Sequence, residues 1–159
     1  MGVCPLSVCN IAPEDSITTQ TLAEQLGGTE ALGREIRSDF DLDEAIRSGL
    51  PVEAVECVVN SGVFHAPELH ALVIPRRTLA HRKSLHGRLS ADQSDRLIRV
   101  VRVAGQAEEA IGDVDKAKRW LRKPNRALRG RRPLDLLASD VGARLVEQAL
   151  GRIEHGLGA

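Results

Sequence analysis

Apolar residues along this chain recur at three- and four-residue intervals, and strand-like alternation and Asn-Gly hairpin signals are missing, so the pattern predicts helices throughout. Residues 1–38 read as a polar lead-in. Leu22, Leu26, Leu32 and Ile36 give it short apolar spacing, but Gly27-Gly28 and Gly33 interrupt it, which predicts partial helix at best. Asp41-Leu-Asp-Glu44 has the capping-box pattern and predicts a short helix to Ser48, ended by Gly49. Pro51 then opens a second helix with Val52, Val55, Val58 and Val59 on one face, closed by Ser61-Gly62. A smaller unit from Pro67 to Val73, with Leu69, Leu72 and Val73 inward, meets the next helix at a tight Ile74-Pro75 corner.

The second half of the chain predicts longer helices. Ser90-Ala-Asp-Gln93 is another capping box, and Leu97, Val101, Ala104 and Ile111 line one face of the helix it starts, beside Arg96, Arg99 and Arg102. Asp113 can cap a helix carrying Ala117, Trp120 and Leu121, which Lys123-Pro124 ends because proline disfavours helical geometry in the residue before it. Asn125 is placed to cap a turn at Arg126 to Leu128, and Pro133 to Leu137 predicts one or two helical turns. Ser139-Asp140 caps a last helix, where Val141, Leu145, Ala149 and Ile153 recur at helical spacing until Gly156. The expected fold class is all-α.

Composition agrees with that. With 42% hydrophobic residues but only Phe40, Phe64 and Trp120 as aromatics, a core must be built from Leu, Val, Ile and Ala, which suits helix packing. The net charge is zero, yet it is unevenly spread. Residues 39–74 hold seven acidic side chains against Arg47 alone, whereas residues 75–102 hold eight Lys or Arg against Asp92 and Asp95. A second basic stretch, Lys123 to Pro133, has five cationic residues and no acid.

Several chemistries lack their residues. There is no G-x-S-x-G, no G-K-[ST] and no G-x-G-x-x-G, so nothing points to an enzyme or a bound cofactor. Cys57 lies in an apolar helical run and reads as a small core residue, and Cys4, Cys9 and Cys57 form neither a disulfide framework nor a C-x-x-C pair, which fits a reducing cytoplasm. His65 and His70, like His81 and His86, are five apart, which leaves them about 140° apart around a helix, so a metal site is not expected. No export signal and no apolar run long enough for a membrane span is present.

What remains is binding. Residues 67–85 have the layout of a helix-turn-helix, a short helix, a tight corner, and a second helix rich in charged and hydrogen-bonding side chains. Arg76, Arg77, Thr78, His81, Arg82 and Lys83 are the candidates for base and phosphate contact, with Leu79 and Leu85 as buried anchors. Taken alone, the segment is equally a solvated basic face on an ordinary helix.

The stretch from Asp113 to Gly156 is more specific. Its order of Ala117, Trp120, Leu121, Pro124, Asn125, Leu128, Gly130, Pro133, Leu136, Leu137, Gly142, Val146 and Leu150 resembles the C-terminal toxin-binding domain of the MbcA/ParS/Xre antitoxins. The resemblance extends upstream through the Pro75-to-Leu79 helix and the Gly87-to-Ser90 joint, covering about residues 40–156. It implies a Cro-like helix-turn-helix domain that binds the promoter of its own operon. It also implies a small helical domain that neutralises a RES-type toxin, one that consumes NAD or transfers ADP-ribose from it. The division expected is a variable extension at 1–38, a DNA-binding domain at 39–89 and a toxin-binding domain at 90–159. Most matched residues have structural roles of their own, so toxin contact is expected from exposed charges nearby: Arg122, Lys123, Arg126, Arg129, Arg131 and Arg132 in the connector, and Arg144, Glu147, Arg152 and Glu154 on the last helix. The tail, with Glu154 and the carboxylate of Ala159, could fill a cationic cofactor pocket on the toxin. A homodimer through the apolar faces of the last two long helices completes the expectation. Two other readings stay open at this point: a helix-turn-helix regulator with no toxin partner, and an adapter that binds only protein.

Overall fold

The computed structural model describes residues 18–156, and Cys4, Cys9 and Ala159 lie outside them. Among the described residues there are ten α-helices, one 3-10 turn and no strand. The helices are α1 (Thr19–Gln25), α2 (Gly28–Leu32), α3 (Asp39–Ser48), α4 (Glu53–Asn60), α5 (Ala66–Leu72) and α6 (Arg76–Ser84). They continue with α7 (Ala91–Ile111), α8 (Val114–Arg122), the 3-10 turn Arg126–Leu128, α9 (Pro133–Leu136) and α10 (Asp140–Glu154).

Most predicted caps form. Ser90 and Gln93 make a reciprocal capping box at the start of α7, Asp113 accepts from the Lys116 N–H, and Asn125 accepts from the Ala127 N–H. One box is displaced. Ser38, not Asp41, caps α3, and Asp41 is the residue that reaches back, its Oδ2 accepting from the Ser38 N–H at 2.9 Å. A hydroxyl side chain with an acid three residues on satisfies two free N–H groups at once, which is why the helix starts at Asp39.

α7 is the axis of the molecule. It packs against α10, α8, α3, α1 and α5, and one continuous core runs from Leu22 to Leu150. Residues 19–36 are therefore part of the packed unit. Leu22, Leu26, Leu32 and Ile36 are all buried in that core. The glycines break the helix as expected, α1 ending before Gly27 and α2 at Gly33, and they also make the joint, since Gly27 adopts φ 101° and a Cβ there would meet Cys57 and Ala31 within 2.6 Å.

α3, α7 and the residues after α6 are stitched together by a buried hydroxyl. Ser94 is fully buried, donates to the Ser90 carbonyl at 2.9 Å and accepts from the Leu50 N–H at 2.8 Å, so its polar atoms are satisfied where an orphan would cost about 1–3 kcal/mol. The Leu89 N–H reaches the Leu50 carbonyl, and Arg88 Nε the Gly49 carbonyl.

Four apolar placements differ from the pattern. Leu85 is 66% exposed and anchors nothing, because α6 ends at Ser84 and turns it outward, leaving Leu79 as the half-buried contact. Ile111 is half-buried. Trp120 is only partly buried, and its Nε1 lies out of solvent with no hydrogen-bond partner among the described residues. On α10 the buried face is Gly142, Ala143, Val146, Ala149 and Leu150, whereas Val141 and Leu145 are exposed. Small residues let α10 approach α7 and α9 closely, so the helix turns that face inward rather than its bulkier stripe. The apolar faces of α7 and α10, expected to meet a second copy, meet each other within the chain.

Candidate functional site

Two exposed cationic surfaces stand on this frame. The first is the α5–α6 unit. Leu69, Leu72, Val73 and Ile74 are buried, the Val73 and Ile74 N–H groups both return to the Leu69 carbonyl, and Pro75 starts α6 at a sharp corner. α6 buries no residue fully. Its six candidate side chains divide. Arg76, Arg77 and His81 are exposed and make no ion pair among the described residues, and Thr78 is half-buried beside them. Arg82 donates from Nη1 to the Arg88 carbonyl, and Lys83 pairs with Glu56 on α4, whose carboxylate holds the ammonium above its ordinary pKa. The first turn of α6 has no side-chain cap, so the partial positive charge of its free N–H groups adds to that of Arg76 and Arg77.

The second surface is the connector between α8 and α9. Asn125 ties it into a closed loop: its N–H donates to the Arg131 carbonyl at 3.0 Å and its carbonyl accepts from Gly130 at 2.8 Å. Arg129 lies in the left-handed region at φ 55°, followed by Gly130 at φ 76°. Lys123, Arg126, Arg129 and Arg131 are exposed and unpaired among the described residues, whereas Arg132 is held on Asp135 by two bonds of 2.8 Å. On α10, Arg144 pairs with Asp140 and Glu147 with Arg102, leaving Arg152 and Glu154 exposed without an ion pair among the described residues.

Arg122 belongs to neither surface. Its guanidinium grips Glu68 through both Nε (2.8 Å) and Nη2 (2.7 Å), donates further to the Val63 carbonyl, and joins α8 to the start of α5. Burial pushes the Glu68 carboxyl up, but the Arg122 guanidinium and the His65 N–H more than offset this and hold it below its ordinary value. Sequence spacing could not show this pair, because its members are 54 positions apart. No group of His, Cys, Asp and Glu able to hold a metal forms among the described residues, and no helix among them is long and apolar enough to cross a membrane.

Family models of known proteins match the chain on either side of residues 103–105. An antitoxin Xre-like helix-turn-helix domain profile matches residues 41–102, and an antitoxin Xre/MbcA/ParS C-terminal toxin-binding domain profile matches residues 106–156. An α-helical chain with a helix-turn-helix domain followed by a toxin-binding domain is the architecture of an antitoxin. Its relatives include Antitoxin Xre of Pseudomonas putida, 35% identical over 78% of this chain and 77% of that protein. Antitoxin Xre of Yersinia enterocolitica is 34% identical over 81% and 91%, and the Prs ADP-ribosylating antitoxin of a Sphingobium species is 30% identical over 54% and 60%. The chain belongs to the Xre antitoxin family.

Proposed function

We propose that this antitoxin neutralises a RES-type toxin, one that consumes NAD or transfers ADP-ribose, by blocking its active site, and that as a homodimer it binds its own operon promoter as autorepressor. The observation that carries this reading is the pair of cationic surfaces, one with Arg76 and Arg77 and one with Lys123, Arg126, Arg129 and Arg131 exposed and without an ion pair among the described residues, each within one of the two matched domains. The name of the Sphingobium relative, which links an antitoxin to ADP-ribosylation, supports the class of toxin. The working division assigns residues 39–89 to DNA and 90–159 to the toxin, with 1–38 a variable extension of which Leu22, Leu26, Leu32 and Ile36 pack into the shared core.

In this scheme Arg76 and Arg77 make phosphate or base contacts, with Thr78 and His81 beside them, while Arg82 and Lys83 chiefly hold α6 in place. Changing Arg76 and Arg77 to Ala should abolish the gel shift of the promoter fragment at moderate salt and reduce the log–log salt slope by about 1.8, at about 0.9 per phosphate contact. Rescue of cells from the co-expressed toxin should be unaffected. A promoter shift that survives both changes would remove α6 from the DNA interface.

Arg126, Arg129, Arg131, Arg152 and Glu154 are the free charges assigned to the toxin, joined by the outer edges of Arg132, Arg144 and Glu147. The terminal residues after Ile153 carry the blocking role. Deleting residues 152–159 should leave the complex intact in a pull-down while restoring toxin activity. Full neutralisation by the truncated chain would sink the blocking role of the tail.

A further inference from the structure

The toxin-binding half offers more than charge. A groove of about 390 Å3 lies between the 3-10 turn, α9 and α10, walled by Ala127, Leu128, Arg129, Arg131, Leu136 and Leu145. Its lining joins the apolar side chains of Ala127, Leu128, Leu136 and Leu145 to two arginines, Arg129 and Arg131. Leu145 is 46% exposed and Val141, one turn earlier on α10, is 69% exposed, so the apolar strip continues out of the groove along the helix. Exposed apolar side chains grouped beside a depression mark a binding surface rather than the scatter of single hydrophobic residues usual on a monomer.

The two arginines lie on a loop that is held in place. Asn125 closes the loop with backbone bonds on both sides, and Arg129 sits at φ 55°, ψ 37°, a conformation that glycine or asparagine adopts at less cost. Strain of that kind persists where the side chain is needed and the surrounding structure fixes it. Arg129 and Arg131 have no ion pair among the described residues, so their donors are available.

We propose that this groove receives an acidic, apolar-tipped segment of the toxin, with an apolar side chain against Leu128, Leu136 and Leu145 and a carboxylate held between Arg129 and Arg131. The inference rests on the toxin-binding reading above and goes beyond it by naming the surface and the chemistry of what it holds. A guanidinium presents paired donors that match a carboxylate, and the two are worth most where water is excluded, which the apolar lining provides. A DNA backbone would satisfy the arginines but leave Leu145 and Val141 bare, so the mixed surface favours protein.

The test uses the full chain and the purified RES toxin of its operon, with affinity measured by calorimetry. Leu145→Asp and Arg131→Glu should each weaken binding by about 30-fold or more, the scale of a central interface residue. Arg129→Gly should weaken it about tenfold while the melting temperature stays the same or rises, because glycine takes the left-handed turn without strain. If Arg129 served only the fold, melting temperature would fall along with affinity. Lysine in place of the matching toxin carboxylate should restore binding to Arg131→Glu. Unchanged affinity in all three variants beside a wild-type chain that binds would overturn the groove and leave toxin binding standing. A wild-type chain that does not bind overturns both, and loss of promoter rather than toxin affinity would give the groove to nucleic acid and overturn the proposal.

Discussion

Replacing Arg122 by Ala is expected to destabilise the chain by about 3 kcal/mol, because it strands a partly buried carboxylate instead of merely deleting a surface contact. The side chains of Arg122 and Glu68 are only 25% and 17% exposed, so the pair stands closer to the buried limit than to the surface one. At about 2–4 °C per kcal/mol for a chain of this size, the melting temperature should fall by about 10 °C, measured by calorimetry or circular dichroism. Arg122→Lys should recover little, since an ammonium cannot reach both carboxylate oxygens and the Val63 carbonyl in one plane. Arg122→Met combined with Glu68→Leu should recover most of the loss, because no charge is then left buried and unpaired. If Arg122→Ala melts like wild type, the clamp contributes nothing.

Acid should erase the difference. The Glu68 carboxyl is held below its ordinary value of 4.5 in the folded chain, so its contribution is fully present above that pH and is lost as pH falls through the lower folded value. The gap between wild type and Arg122→Ala should therefore narrow below about pH 4.5. Both partner surfaces should suffer from the substitution at neutral pH. Glu68 caps α5, which positions α6, and α8 leads directly into the basic connector, so a loosened clamp weakens promoter and toxin binding together. Variants at Arg76 and Arg77 should affect promoter binding alone, and the contrast separates the frame from the surface it carries.

The second large effect lies on α10, where one substitution should have opposite signs at two positions nine residues apart. A Cβ added at Gly142 would stand 2.0 Å from the Leu136 carbonyl oxygen and 2.8 Å from its carbon, backbone atoms that cannot rotate away. Gly142→Ala should cost about 3 kcal/mol, the upper end for overpacking, by forcing α10 off α9. It should also open the groove under Leu145. Gly151 has nothing within 4 Å of the added atom and sits in the helix interior, so Gly151→Ala should stabilise by about 0.5–1 kcal/mol. Urea denaturation of the two variants decides it. Equal and small changes at both would mean that the α9–α10 contact is not the tight joint described.

Much of the candidate site was legible in advance because its signals are local. A capping hydroxyl or carboxylate three residues before a free N–H, a proline at a corner and a glycine at a stop act within one turn of chain. Ser90, Asp113, Asn125, Pro75 and Ser139 therefore mark their helices from sequence alone. Charge segregation is equally local, so the basic start of α6 and the basic connector are visible in the sequence itself. The same spacing in Ala117, Trp120, Pro124, Asn125 and Gly142 carried the family resemblance.

Only the tertiary structure decided which charges were free and which apolar residues were covered. Arg122 and Arg126 look alike in sequence, yet one is spent on Glu68, 54 residues away, and the other faces solvent. Val141 and Leu145 have the periodicity of a core face, yet the helix turned its small residues inward, because closer approach of α10 to α7 and α9 buries more of both neighbours than a bulky stripe would allow. Leu22, Leu26, Leu32 and Ile36 gained their place in the core only when α3, α4 and α7 supplied a surface to cover. Local propensity determined where this chain is helical and where it is basic. Packing, which adds up over residues far apart in sequence, determined which of those features remain on the surface to meet a partner.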